Sequence, residues 1–252
     1  NLNANSTGAL NLGTGTVGGN LVASSNGGAI TQAAGGLSVT GTTSANAGAA
    51  AITLTEAANN FTGAVAVSNS GANSVAIRDA NDVVLAASTV GANLDVASGG
   101  HITQVATTGV LTVGGTSTFT VDTGTSKDVL LAGASNDLAG LVSINTVNGA
   151  SLRDVGLKNT NASAVVPPLP SGLRNLDIQL SNAAVVLPSL SLSGNLNITS
   201  GAAVSQTGTL TITGTSTITA TGSNVTLTDS ANNFGGTATI TGAGISLRDV
   251  GA

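Results

Sequence analysis

Apolar and polar residues alternate along short segments of this chain, and glycine-rich turns separate the segments. In the stretch TLTITGTSTITATGSNVTLT, Leu210, Ile212, Ile218, Val225 and Leu227 share one parity within each short run, while threonines tend to occupy the other. Alternation with a period of two is typical of strands that are buried on one face and exposed on the other. The pattern therefore predicts a series of short β-strands.

Longer phrases recur along the chain. GGAITQAAGGLSVTGTTS returns as GGHITQVATTGVLTVGGTST and again as GAAVSQTGTLTITGTST. EAANNFTGAVAV returns as GASNDLAGLVSI and DSANNFGGTATI. Internal repetition of strands and turns is typical of solenoids, in which each coil packs only on its neighbours.

The spacing of strand starts predicts the length of one coil. Leu94, Leu111 and Val129 begin strands 17 and 18 residues apart, with another strand between each pair. We therefore predict an all-β, parallel β-solenoid with about 18–20 residues per coil and about thirteen coils at the usual strand spacing. It forms one segment, residues 1–252, with about three long repeat units whose phrases recur near 59–122, 136–154 and 191–252.

The phrases GNL, ITQ, LTV-x-GT(T/S), ANNF and LRD resemble the repeat region of filamentous haemagglutinin-type exoproteins, the adhesins of bacterial two-partner secretion. Similar repeats occur in autotransporter passengers. The resemblance covers nearly the whole chain and is poorest at residues 160–185. It implies a right-handed parallel β-helix, secreted to the cell surface of a bacterium as part of an extended fibre. It also implies that the 252 residues are an interior excerpt of a longer chain.

Composition narrows the classes of function. The chain is 7% charged and 1% aromatic, contains no cysteine, and carries a formal net charge of −5. Disulfides and thiolate metal sites are thereby excluded. Without a basic stripe, the sequence predicts no nucleic-acid partner, and without a run of about twenty apolar residues it predicts no membrane insertion.

An Arg-Asp dipeptide occurs three times and is the first candidate for a functional site. The pairs are Arg78-Asp79, Arg153-Asp154 and Arg248-Asp249. One interpretation is a repeated glycan site in which arginine donates to hydroxyl groups and aspartate accepts from them. The other is a coil corner, in which arginine faces outward and aspartate caps backbone N–H groups of a turn. Recurrence at similar points favours the corner.

Recurring asparagines are a second structural candidate. Asn60, Asn136 and Asn233 lie in the repeated NNF-type phrase. Because asparagine tolerates turn geometry and can hydrogen-bond to copies of itself in adjacent coils, we predict that these residues form ladders.

Catalytic chemistry receives little support. Asp79, Asp82 and Asp95 form the closest grouping of carboxylates, and a coil spacing would bring Asp95 near Asp79. Glycoside hydrolysis needs such a pair, but tryptophan and tyrosine, on which sugars stack, are absent. His101 stands where Ala29 and Ala203 occur in the other copies, which predicts an exposed position without a role. We predict no enzyme activity, no cofactor and no metal.

Residues 160–185 are predicted to be an irregular insertion. Three of the four prolines lie within SAVVPPLPSGLRNL, and proline cannot take part in a central strand ladder. The segment is therefore predicted to leave the rod or to distort one coil. Its candidate recognition residues are Lys158, Pro167, Pro168 and Arg174.

These observations predict a structural and adhesive rod segment of a secreted surface fibre. Its expected partners are glycans or proteins of host or neighbouring cells, or copies of itself. The alternatives are a filament or sheath subunit that stacks end to end through open strand edges, a polysaccharide-acting enzyme, and an ice-binding solenoid.

Overall fold

A computed structural model describes residues 1–251 and shows a parallel β-solenoid. Within these residues there are 29 strands and no helix, so none that could span a bilayer. Strands of successive coils pair in parallel, as Leu2 with Leu21 and Leu21 with Thr43. The predicted parallel β-solenoid is confirmed, with about 11 coils of about 22 residues.

The strands form four sheets along the faces of the rod. The long sheet contains β1 (Leu2–Ser6), β4 (Leu21–Ser25), β7 (Thr43–Gly48), β10 (Val65–Asn69), β12 (Val83–Leu85), β13 (Ser88–Val90), β15 (Ile102–Gln104), β16 (Leu111–Val113), β18 (Lys127–Leu138), β20 (Leu152–Asn159), β21 (Asn175–Leu180), β22 (Val185–Leu187), β24 (Leu196–Ser200), β25 (Val204–Gln206), β27 (Ser216–Leu227) and β29 (Ala238–Leu247). The seven-stranded sheet contains β2 (Leu10–Asn11), β5 (Ile30–Thr31), β8 (Ile52–Leu54), β11 (Val75–Asp79), β14 (Leu94–Ser98), β17 (Ser117–Val121) and β19 (Val142–Thr146). Two three-stranded sheets contain β3 (Gly15–Val17), β6 (Leu37–Val39) and β9 (Asn60–Phe61), and β23 (Leu190–Leu192), β26 (Leu210–Ile212) and β28 (Asn233–Phe234).

The predicted coil length of 18–20 residues is too short, and the estimate of thirteen coils is correspondingly too high. Ile102 pairs with Val129, 27 residues later. The strand starts used for the prediction do not stack on one another, since Leu94 pairs with Ser117 and Leu111 with Ser88. Their spacing measured the path from one face of the rod to another.

Alternating residues of each strand fill a narrow core. In β14, Leu94, Val96 and Ser98 are buried while Asp95 is exposed. The core consists mainly of valine, leucine and isoleucine, and Phe61 and Phe119 are among its largest fully buried side chains. Burying such aliphatic side chains contributes about 1.5–3 kcal/mol each, so the coils are held together by many small contributions.

The recurring phrases do not keep to one face of the rod. The strands β4, β14 and β24 carry the same NL-type phrase, yet β14 belongs to the seven-stranded sheet and the other two to the long sheet. Strand β14 stacks on β11, in which Val75 pairs with Leu94. A strand of one phrase can stack on a strand of another because all of them present the same inward alternation.

The proline-rich segment replaces strands within one coil. Asp154 pairs with Asn175, 21 residues later, so this coil has an ordinary length. Residues 160–174 contain no strand, whereas β21 and β22 occupy much of the remainder of the predicted irregular region. In consequence β19 and β23 are edge strands in the middle of the rod.

Candidate functional site

Three pairs of side-chain amides recur inside the rod. Gln32 Nε2 donates to Asn59 Oδ1 at 2.7 Å, and Asn59 Nδ2 donates to Gln32 Oε1 at 2.9 Å. Asn59 is completely buried, and its Oδ1 also accepts from the backbone N–H of Leu37 at 2.8 Å. Its Nδ2 further donates to the carbonyl of Leu54 at 3.0 Å. A buried amide satisfied in this way avoids the cost of unpaired polar groups.

The same arrangement is built from the other copies of the ITQ-type and NNF-type phrases. Gln104 and Asn136 exchange hydrogen bonds of 3.0 and 3.2 Å. Gln206 and Asn232 exchange hydrogen bonds of 2.9 and 2.8 Å. In each case the glutamine of one coil meets the asparagine of the next.

This geometry corrects the predicted asparagine ladder at two of its three residues. Asn136 lies in the buried pair, as does its counterpart in the other copies, Asn59 or Asn232. Asn60 and Asn233 instead lie one residue later, on the outward side of the strand, half-buried and exposed respectively. Consecutive residues of a strand point to opposite faces, and Asn59 shares the parity of the core residue Phe61. The sequence thus contained the signal that distinguishes them.

The aspartates of two Arg-Asp pairs act as caps. Asp79 accepts from the backbone N–H of Phe61 at 2.7 Å and of Asn81 at 2.8 Å. Asp249 accepts from the N–H of Phe234 at 3.1 Å and of Gly251 at 3.1 Å. Each therefore links the NNF phrase to the coil that follows it.

In the middle copy Asn159 makes the equivalent cap, and Asp154 does not. Asn159 Oδ1 accepts from the N–H of Leu138 at 3.0 Å and of Asn161 at 3.1 Å. Leu138 stands where Phe61 and Phe234 stand in the other copies. The Arg153-Asp154 pair therefore resembles the other two in sequence only.

Asp154 belongs instead to a line of side chains along one corner of the rod, here called the corner ladder. In this ladder, a side-chain acceptor receives the backbone N–H of the corresponding residue one coil later. The bonds join Asp82 to His101 (2.8 Å), His101 to Asp128 (3.0 Å), Asp128 to Asp154 (3.2 Å), Asp154 to Asn175 (3.1 Å), Asn175 to Asn195 (2.8 Å) and Asn195 to Thr215 (2.9 Å).

Two arginines neutralise the acidic part of the corner ladder. Arg153 Nε donates to Asp128 Oδ1 at 3.0 Å, and Arg174 Nε donates to Asp154 Oδ1 at 3.0 Å. Each arginine adds a second bond through Nη2, so both pairs are bidentate. Arg153 Nε also lies 3.4 Å from Asp154 Oδ2. In the seven-stranded sheet, Arg78 Nη2 lies 2.6 Å from Asp122 Oδ2.

These pairs shift the titration of Asp154. Partial burial acts to raise its pKa, but the hydrogen bond and charge of Arg174 outweigh this, with help from the N–H of Asn175 and the charge of Arg153. The pKa of Asp154 therefore lies below its ordinary value. The opposite holds for Asp79 and Asp177, whose pKa is raised chiefly by burial.

His101 is not the exposed residue without a role that was predicted. Its side chain is 31% exposed, and Nδ1 accepts the N–H of Asp128 while lying 3.2 Å from Asp128 Oδ2. The alanines at the corresponding positions of the other copies concealed this, because the polar partner at position 128 belongs to one copy.

The predicted approach of Asp95 to Asp79 is also wrong. Asp79 pairs with Ser98, whereas Asp95 pairs with Ala76 and Thr118. Asp79 points into the rod and Asp95 points outward. Among residues 1–251, no cluster of three or more histidine or acidic side chains is arranged to hold a metal ion.

The candidate recognition residues are dispersed. Lys158 lies in β20 opposite Gln179, Pro167 is buried, and Arg174 is paired with Asp154. Of the four, only Pro168 lines the cavity of about 500 Å³ that is formed by residues 168–173 and 188–192. The structure therefore brings no pair of these residues into one site.

Sequence comparison places the repeats in a family. The family model described as repeats of unknown function (DUF5649) matches residues 1–68, 72–145 and 174–241. The unmatched residues 146–173 include the strandless part of the proline-rich segment. No curated protein and no solved structure matches the chain. Because the family model covers most of the 252 residues, the chain belongs to the DUF5649 family of repeats.

Proposed function

We propose that this chain is a structural and adhesive rod segment of a secreted bacterial surface fibre of the filamentous haemagglutinin type, without catalysis. The observation that carries the proposal is the corner ladder. Its strongest polar groups, the Asp128–Arg153 and Asp154–Arg174 pairs, are spent on one another and on linking successive coils. Side chains used in this way stabilise a rod and are not free to activate a substrate.

The length and stiffness that a fibre needs follow from the coil geometry. About 11 coils, at about 4.8 Å per coil, make a rod on the order of 50 Å long. Continuous ladders and fully satisfied amide pairs resist bending and local opening, because each coil is bonded to both neighbours. A fibre lengthens by adding coils without a change in its cross-section.

The outer surface supports the adhesive part of the proposal. On the long sheet, the outward residues Thr217 and Thr219 pair in register with Thr239 and Thr241. Asn197 and Thr199 continue these rows. Rows of hydroxyl and amide groups can hydrogen-bond to glycans or proteins of host or neighbouring cells over several coils, which gives weak contacts the benefit of multivalency.

The proposal is tested by measuring adhesion and turnover on the same preparation. Fluorescently labelled chain is applied to immobilised glycans and cell-surface proteins, and the released reducing ends are measured after incubation with a panel of polysaccharides. We expect saturable binding that is unchanged in Asp177→Asn and no release of sugar ends. Release that Asp79→Asn or Asp177→Asn abolishes would establish an enzyme instead.

A second measurement separates a rod within a fibre from a self-assembling filament subunit. Particle length is measured by electron microscopy over a range of protein concentrations. We expect a constant length. Lengthening with concentration would favour end-to-end assembly, and the absence of binding to every surface tested would contradict the adhesive role.

A further inference from the structure

The chain contains two asparagine–glycine pairs, Asn26–Gly27 and Asn148–Gly149, and both lie at turns between strands. In such a pair the backbone nitrogen of glycine can attack the side-chain carbonyl carbon of asparagine, since glycine carries no Cβ to obstruct the approach. The sequence makes the two pairs equivalent, and the structure makes them different.

Asn26–Gly27 is held between two coils. The nitrogen of Gly27 donates to the carbonyls of Ser25 at 2.7 Å and Ala47 at 3.1 Å. The nitrogen of Asn26 donates to the carbonyl of Ser6 at 3.2 Å. Ser6 lies in the preceding coil and Ala47 in the following one. The attacking nitrogen would have to give up these bonds first.

Asn148–Gly149 is open. A hydrogen bond of 2.9 Å from Ala150 N to Val147 O closes the turn, and both central residues have positive φ, 52° and 76°. Within residues 1–251, the N–H of Gly149 has no acceptor, and no atom lies within 4 Å of a Cβ built there. The side chain of Asn148 is held by one long bond, from Nδ2 to the carbonyl of Asp122 at 3.3 Å.

The difference has a cause in the fold. Strand β19, which precedes this turn, is the edge of its sheet. The next coil has the strandless residues 160–174 where another strand would otherwise continue the sheet. No backbone from that coil therefore covers the turn at Gly149 in the way that Ala47 covers Gly27.

We propose that Asn148 is a site of spontaneous deamidation and that Asn26 is protected from it. The nitrogen of Gly149 loses its proton and bonds to Cγ of Asn148, and the amide group leaves as ammonia. Water then opens the resulting succinimide at either carbonyl. One opening gives aspartate at position 148, and the other gives isoaspartate, in which the chain runs through the former side chain. Water is the only co-reactant.

The modification alters one corner of the rod. The new carboxylate cannot donate to the carbonyl of Asp122, so the bond from Nδ2 is lost. Isoaspartate also inserts an additional backbone carbon between β19 and β20. We therefore expect faster hydrogen exchange in the edge strand β19 as the protein ages.

The test is to incubate the folded chain at mildly alkaline pH and to quantify deamidated peptides by mass spectrometry and isoaspartate with a protein isoaspartyl methyltransferase. We expect about tenfold or more modification at Asn148 than at Asn26, because the turn at Gly27 must first give up hydrogen bonds. In urea, where both turns are unfolded, the two sites should react at similar rates.

Asn148→Gln is the matched variant, since its longer side chain disfavours the five-membered ring while keeping an amide. It should remove the methyltransferase signal from the folded protein and leave the signal of the urea-treated Asn26 peptide. Equal modification of both sites in the folded chain, or preference for Asn26, would overturn the proposal. So would the absence of modification at Asn148 under conditions in which the unfolded peptide reacts.

Discussion

Gln104 and Asn136 face each other inside the rod and exchange two hydrogen bonds between consecutive coils, at 3.0 and 3.2 Å. Asn136 Nδ2 also donates to the carbonyls of Leu131 at 2.9 Å and Lys158 at 3.1 Å. One amide therefore joins its own coil to those on both sides. The other two copies of this pair indicate that the rod depends on it at regular intervals.

Replacement of Asn136 by alanine should be among the most destabilising single changes. It leaves the side chain of Gln104 and the N–H of Leu111 without their buried partner, at a cost of about 3 kcal/mol or more. The midpoint of urea denaturation should fall accordingly. Asn233→Ala, on an exposed strand position, is the control and should change stability by less than about 0.5 kcal/mol. Equal losses in the two variants would contradict the role assigned to the amide pair.

Asp79→Asn should stabilise the protein at neutral pH, whereas Asp79→Ala should destabilise it. Asn159 already performs the same capping in the middle copy, so an amide fits this position. Burial raises the pKa of Asp79. The carboxylate form is thus disfavoured in the folded state, and stability falls as pH rises through the folded pKa. Chemical melts at two pH values check this, and the advantage of Asn should shrink towards pH 4.

The ion pair at Asp154 predicts the opposite dependence on pH. Because its pKa is lowered in the folded protein, its contribution is present above the unfolded pKa of about 3.9 and is lost as pH falls through the folded value. Asp154→Asn should therefore cost stability at pH 7 and nothing at low pH. Arg174 is half exposed, so the cost should stay near 1 kcal/mol and decrease in high salt. A difference between the proteins that persists in strong acid would contradict this origin.

Gly214→Ala tests the close approach of coils at the asparagine corner. A Cβ at Gly214 would lie 2.3 Å from Asn195 Oδ1 and 2.6 Å from the backbone oxygen of Gly194. Relieving these contacts means separating adjacent coils, which should cost about 2 kcal/mol or more. Gly18→Ala is the control, because nothing lies within 4 Å of its Cβ. A thermal melt in which both variants match the parent protein would refute the close approach.

The Asn59–Asn60 pair shows how far sequence reasoning reaches. Repetition identified the NNF phrase as structurally important, and its alternation was enough to assign Asn59 and Phe61 to the same buried face. The partner of Asn59 was out of reach, because Gln32 lies 27 residues earlier and no local pattern connects the two. Likewise, Arg153-Asp154 and Arg78-Asp79 are alike as words, but only the stacking of β20 on β18 and β21 gives Asp154 its place in the corner ladder.

By itself, the sequence determined the strands, their buried faces and the solenoid class, because period-two alternation and glycine-rich turns act over a few residues. The tertiary structure alone decided which strands stack. Paired residues are separated by 19 positions between Leu2 and Leu21 but by 27 between Ile102 and Val129. Corners of variable length change the partner without changing the alternation. The polar contacts that join the coils depend on that choice of partner, since a hydrogen bond requires atoms within about 3.5 Å of each other.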